Sequence, residues 1–170
     1  TPWYDYEIPM TEAAEIGTRK VITDHSTVGI VITTDGTVTD IPRQDYQEAE
    51  ERVIRELQEI GKPFVVLLNS SDPTGERACA ISTEISGKYN VKCIPVNCLT
   101  LDETAITALM RSLLFEFPLQ ELDLYLPSWV EALPLEHPIK SSVYQTVREE
   151  ARQLTRIREL DGALEGMRGC

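Results

Sequence analysis

The sequence predicts an α/β protein: a mostly parallel sheet in three layers, with helices on both faces. Three observations predict it. Short apolar runs at 28–34, 63–69 and 91–97 show little alternation, as strands buried on both faces do. Stretches with helical periodicity separate them, and strands alternating with helices of ten to fifteen residues imply βαβ units. The chain has 170 residues, 42% hydrophobic and 26% charged, enough for a proper core.

Residues 1–10, with Trp3, Tyr4 and Tyr6, read as extended, their aromatics tucked against the domain. Thr11 is placed to cap a helix to about Asp24, whose weak apolar side is Met10, Ala13, Ala14, Ile16 and Val21. Strand 28–34 ends at the Asp35-Gly36 turn, and a polar loop follows to Arg43. Asp45-x-x-Glu48 reads as a capping box. Tyr46, Ala49, Val53, Leu57 and Ile60 form one helical face, stopped by Gly61 and Pro63. After strand 63–69 comes a helix over 76–89 with Ala78, Ile81, Ile85 and Tyr89 on one side. Pro95 lacks a ladder donor, which puts strand 91–97 at a sheet edge. Thr100-x-x-Glu103 reads as a second capping box, before a helix carrying Ile106, Leu109, Met110, Leu113 and Leu114. In a parallel sheet with right-handed crossovers, all strand carboxyl ends share one edge. That edge gathers Thr33-Thr34-Asp35, Asn69-Ser70-Ser71-Asp72 and Asn97-Cys98.

The character changes after Pro118, which divides the chain into 1–118 and 119–170. Alternation over 119–126 suggests an antiparallel or edge strand, Trp129 a packing anchor, and Ser141 or Ser142 the cap of a long helical arm to about Asp161. Val143, Val147, Ala151, Leu154 and Ile157 are its apolar stripe.

Composition excludes several classes. The net charge of −12 argues against a nucleic-acid binder and against electrostatic adhesion to anionic lipid, although Arg148, Arg152, Arg156 and Arg158 cluster near the end. Cys79, Cys93, Cys98 and Cys170 form no C-x-x-C pair and have only His25 and His137 for company, so no metal site is expected and the thiols suit a reducing cytoplasm. No apolar run approaches ~20 residues and no signal peptide is visible. The start at Thr1 reads as processed, excised or incomplete. Asp24, His25 and Ser26 are adjacent and cannot converge as a triad.

The most specific polar pair is Asn69 and Asp72, after a buried strand on the ligand edge of an open α/β sheet. Their spacing is similar to the base-reading Asn-Lys-x-Asp loop of GTPases, with Ser70 at the Lys position. In such a loop the Asn braces the turn and the Asp accepts from guanine N1 and its amine; adenine has no donor at N1. The other reading is a turn that caps the following helix. Thr34 and Asp35 read either as a wall of a nucleotide site or partner contact, or as a capped turn. Asp35, Asp40, Arg43 and Asp45 read as an assembly surface or a solvated loop. No G-x-x-x-x-G-K-[ST] run is present, so nothing here cradles a triphosphate and no catalytic residue is assigned.

Several runs carry a family resemblance. They are Thr1-Pro2-Trp3-Tyr4, Glu12 to Ile22, His25 to Thr37, Glu48 to Ile54, Gly61-Lys62-Pro63-Phe64, Phe117-Pro118 and Leu126 to Val130. Together, from Thr1 to about residue 160, they resemble the stage IV sporulation protein A family, spore-coat morphogenetic ATPases of endospore-forming bacteria. The resemblance implies the second half of a GTPase-like P-loop domain that uses ATP, over 1–118. It implies a strand and helix leading to a middle domain over 119–170. The family's phosphate loop, first switch and magnesium-binding Asp fall before Thr1. ATP and Mg²⁺ are therefore expected in the complete protein, and neither binding nor hydrolysis by the fragment alone. Asn69, Ser70, Ser71, Asp72, Asn97 and Cys98 become the expected nucleotide-binding residues, with Thr34, Asp35 and Arg43 as site wall or assembly contacts. Ser70 departs from the GTPase Lys in line with lost guanine preference, whereas Asp72 would suit guanine. The resemblance implies polymerisation using ATP into the basement layer of the spore coat, and contacts with other spore-coat proteins. It also implies a cytoplasmic location on the mother-cell side of the forespore, whose membrane is reached only through parts not in this chain. The competing readings are an α/β assembly module without nucleotide, working through 35–45 and 140–161, and a flavodoxin- or receiver-like module.

Overall fold

The computed structural model describes residues 7–168. The expected extended aromatic start with Trp3, and Cys170, lie outside the described residues. The chain forms two compact units, one up to Leu113 and one from Leu114.

In the first unit, α1 (Met10–Lys20) begins one residue before the expected Thr11 cap, with Pro9 leading in, and continues as a π-helical turn over Val21–His25. Helix carboxyl ends leave carbonyls unsatisfied and carry partial negative charge. Here Lys62 answers both, its ammonium donating to the carbonyls of Thr23 (2.7 Å) and Ser26. Met10 and Val21 are exposed, so the expected apolar side of this helix is not its buried one; Ile22 packs on the core.

Strands β1 (Gly29–Thr34), β2 (Phe64–Asn69) and β3 (Cys93–Val96) form a parallel sheet in the order β1-β2-β3. Thr34 lies opposite Asn69 and Asn69 opposite Val96, so the three carboxyl ends are level. β2 is central and covered on both faces. Phe64, Val66 and Leu68 pack with Ile54 and Leu57 of α2 (Gln44–Ile60) and Ala78 and Ile85 of α3 (Glu76–Tyr89). Val65 and Leu67 pack with Leu109 and Leu113 of α4 (Glu103–Leu114). β3 is an edge strand, where the missing donor of Pro95 costs no ladder bond. β1 departs from its reading as a strand covered on both sides. Val31 is buried, but Ile30 and Ile32 are 43% and 64% exposed, because no described helix of this unit packs over that face.

Both expected capping boxes are corrected. Arg43 precedes α2 with helical dihedrals and no side-chain cap, the chain having already turned at Pro42. α4 is capped by Asp102, whose Oδ1 accepts the Ala105 N–H at 2.7 Å, while Thr100 bonds back to Asn97. Gly61 ends α2 as read, with φ 72°. The buried side of α2 is Glu50, Ile54 and Leu57; of the expected stripe only Leu57 is fully buried, and Val53 packs against the same core. Arg43 neutralises Glu50 through two bonds at 3.0 and 3.1 Å, which lets a carboxylate join the buried face.

In the second unit, the expected strand at 119–126 does not form. Leu122, Leu124 and Tyr125 are exposed, and no described neighbouring strand supplies partners. Segment 115–119 instead pairs briefly with 155–158, through Leu119 N to Thr155 O (3.0 Å) and Ile157 N to Phe117 O (3.2 Å). The expected single arm is broken. α6 (Pro138–Ala151) starts after His137 and stops early, a 3₁₀ turn covers Ile157–Glu159, and α7 (Leu160–Arg168) follows. Glu159 causes the break by accepting the Thr155 and Arg156 N–H groups at 2.7 and 3.0 Å, taking donors that a continuous helix needs. Glu116, 3% exposed, receives Arg156 and Arg158, which removes two of the four clustered arginines from any basic patch. Trp129 in α5 (Ser128–Glu131) is 62% exposed and is no packing anchor; Val130 beside it is the buried residue. Lys140 is buried with its ammonium satisfied by the carbonyls of Glu131 and Leu133.

Candidate functional site

Polar residues at the three level strand ends are bonded to one another. Asn69 closes β2, and its Oδ1 accepts the Cys98 N–H at 3.0 Å, bracing the loop after β3. The Asn69 carbonyl accepts from Asp35 N at 3.3 Å, and Ser70 N donates to Val96 O at 2.9 Å. The turn beyond Ser70 is anchored by its hydroxyl, which accepts the Asp72 N–H at 3.1 Å. Asn97 Oδ1 accepts the Leu99 N–H at 3.0 Å, forming an Asx turn.

Each expected residue has a definite place. Asn69 is half-buried, Ser71 and Asp72 are exposed, and Asn97 and Cys98 are half-buried on the same edge. The Ser70 hydroxyl faces inward, with the residue 1% exposed. Thr34 is buried, its Oγ1 accepting the Gly36 N–H at 3.0 Å, and Gly36 turns the chain with φ 86°. Asp35 is 1% exposed and belongs to no exposed charged surface. Arg43 is committed to Glu50 and, at 3.0 Å, to the Thr34 carbonyl. The Asp72 carboxylate turns toward the start of α3: Oδ1 accepts the Thr74 hydroxyl at 3.2 Å, and Oδ2 lies against Gly75, where a Cβ would come within 2.6 Å of it.

Asp35 organises the inner side. Burial works to raise its pKa, but the hydroxyls of Ser70 and Thr37, the Thr37 amide and the charge of Arg77 together hold it below its ordinary value. It is a fixed anion under the polar edge. Sequence reasoning missed Thr37 and Arg77. Thr37 donates its hydroxyl to Asp35 Oδ1 at 2.6 Å and accepts the Ser71 N–H at 2.9 Å; Arg77 donates to the Asp35 carbonyl at 2.7 Å. The Asp-x-Thr spacing was a legible signal for Thr37; Arg77 looked like any exposed helix residue. Leu99, 94% exposed in the loop after β3, also escaped notice.

An apolar groove of about 630 Å³ runs along β1, lined by Ile30, Ile32, Tyr46, Ala49, Val53 and neighbours. Tyr46, Ala49, Val53 and Leu57 of the expected α2 stripe line this groove. Burial pushes the Cys93 thiol up to about 11, so it is inert at neutral pH. Among the described residues, no group of three or more His, Cys, Asp or Glu side chains is arranged to hold a metal ion. Among the same residues, no helix is long and apolar enough to cross a membrane.

Comparison with known proteins places these features in a family. The model of the stage IV sporulation protein A ATPase domain matches residues 1–118, and that of the middle domain matches residues 119–170. The chain is 46% identical over 161 residues to stage IV sporulation protein A of Bacillus subtilis (strain 168), covering 95% of this chain and 33% of that protein. The protein of the same name from Bacillus anthracis gives the same identity and coverage. That of Clostridioides difficile (strain 630) is 44% identical over 166 residues, covering 98% of this chain and 34% of that protein. The chain therefore spans about a third of the length of the curated relatives it matches. No solved structure matches. With a parallel α/β sheet and both family models matching end to end, the chain belongs to the stage IV sporulation protein A family.

Proposed function

We propose that residues 1–118 are the carboxyl-terminal half of a GTPase-like, three-layer P-loop ATPase domain and that residues 119–170 lead into the middle domain. The two core clusters on opposite faces of β2 support the layered reading. In this reading the chain supplies the base side of an ATP site, and a segment outside it supplies the phosphate cradle and the Mg²⁺ ligands. The residues present fit that division. The carboxyl edge offers Ser71 and Asp72 as exposed polar contacts and Leu99 as an apolar surface for a flat ring. It offers no glycine-rich run of amides for phosphates. ATP use by the complete protein is linked to self-association, giving the basement layer on which other spore-coat proteins assemble. That activity sits on the mother-cell side of the forespore.

The observation that carries this is the Asn69–Cys98 bond. It joins two strand-end loops at the edge where open α/β sheets bind ligands, and it leaves Asp72 presented beside them. The Asp72 carboxylate would accept well from guanine N1; toward adenine only the exocyclic amine donates. The test is Asn69→Ala in the complete protein, with ATP and GTP affinities measured by calorimetry. ATP affinity should fall about tenfold, as expected for losing one half-buried bond and the loop it braces. Unchanged affinity would favour a turn that merely caps α3.

A further inference from the structure

The loop after β1 and the turn after β2 are joined through one hydroxyl. Thr37 Oγ1 donates to Asp35 Oδ1 at 2.6 Å and accepts the Ser71 N–H at 2.9 Å. A hydroxyl has one proton and two lone pairs, so both bonds form together only when the proton points at the carboxylate and a lone pair at the amide. Asp35 enforces that direction, because an ionised carboxylate only accepts. The Thr37 amide adds a bond to the same Oδ1 at 2.9 Å, which fixes the threonine backbone as well. Arg77, in the first turn of α3, holds the Asp35 carbonyl at 2.7 Å and so ties this loop to the helix that follows the Asp72 turn. Ser71 is the residue before Asp72, and both are exposed, so a contact from outside the turn limits where Asp72 points. The other end of the bridge is the exposed loop carrying Val38 and Ile41, 36% and 49% exposed.

We propose that Thr37 is a positioning residue for the nucleotide: by accepting the Ser71 N–H it holds the Ser71–Asp72 turn ready for the base, and it makes the order of the 37–43 loop depend on whether nucleotide is bound. This rests on the reading of 69–72 as the base side of the site. It differs from that reading in assigning a role to a residue that touches no ligand, and in giving the site an outlet toward an exposed, partly apolar loop.

The test compares Thr37→Val, which keeps the shape and removes the hydroxyl, with Thr37→Ser, which keeps the hydroxyl. Both are made in the complete protein, with Asn69→Ala alongside. Thr37→Val should weaken Mg·ATP binding about five-fold, the usual consequence of losing one such bond, and Thr37→Ser should stay within about two-fold. Hydrogen exchange provides a second readout. In Thr37→Val the amides of 70–72 should exchange faster while those of 65–68 keep their protection, and the ATP-dependent protection of 37–43 should disappear. If Asn69→Ala loses affinity while Thr37→Val binds normally, the positioning role is overturned and the base-site reading stands. If neither variant loses affinity, that reading falls and takes this one with it. If Thr37→Val and Thr37→Ser lose equally and the 65–68 amides exchange faster, Thr37 is only part of the scaffold and the proposal is overturned.

Discussion

Asp35 shows how one buried charge serves a polar edge. It is almost wholly removed from solvent, which opposes ionisation, yet hydroxyls from two loops, an amide and the Arg77 charge keep it ionised. A folded pKa below the unfolded value contributes stability that is complete above the unfolded value and is lost as pH falls through the lower, folded one. Urea midpoints of this chain should therefore drop on acidification below about pH 4, and Asp35→Asn should flatten that part of the profile. At neutral pH the same variant should cost about 1–3 kcal/mol, since an amide cannot accept every bond the carboxylate takes. Parallel acid profiles for the two proteins would remove Asp35 from this role. In the sequence, Asp35-Gly36 was legible as a turn, but not that its carboxylate is internal. Burial depends on Ser70 and Arg77, which are 35 and 42 positions away.

At the scale of elements, apolar periodicity located β1 to β3 and α1 to α4 within a few residues, because apolar spacing marks each element in the chain even where, as in α1, the marked side is not the buried one. It misjudged the buried side of α2, where Glu50 is internal only because Arg43 meets it. Glu50→Ala should destabilise the chain by about 3–5 kcal/mol by stripping a half-buried guanidinium of its counter-charge. Arg43→Met combined with Glu50→Leu should recover most of the loss in a denaturation series. If Glu50→Ala proves neutral, water reaches the pair and its burial does not matter energetically. The helix ends were read less well than the helices. Asp102, not Thr100, caps α4, and Glu159 divides what looked like one arm into α6 and α7. Side chains that compete for backbone donors act locally, and their geometry decides between several equally spaced candidates.

For the whole molecule, the strand order places Thr34, Asn69 and Val96 in one row, and that row gathers scattered polar residues on one edge. The chain holds no phosphate-cradling run, so the 170-residue chain alone is expected to release no phosphate from ATP, whereas the proposed function expects release by the complete protein. A malachite-green assay decides it, and turnover by the isolated chain would overturn the division of the site proposed above. The sequence by itself determined the α/β class, the three parallel strands, their shared polar carboxyl edge and the family, because local periodicity and residue identity carry those properties. Only the tertiary structure decided that Ser70 and Asp35 face inward, that Ile30 and Ile32 of β1 have no cover among the described residues, and that Thr37 joins two loops 34 positions apart. Those outcomes depend on which distant groups meet, and the free energy of such a meeting belongs to the pair rather than to either residue.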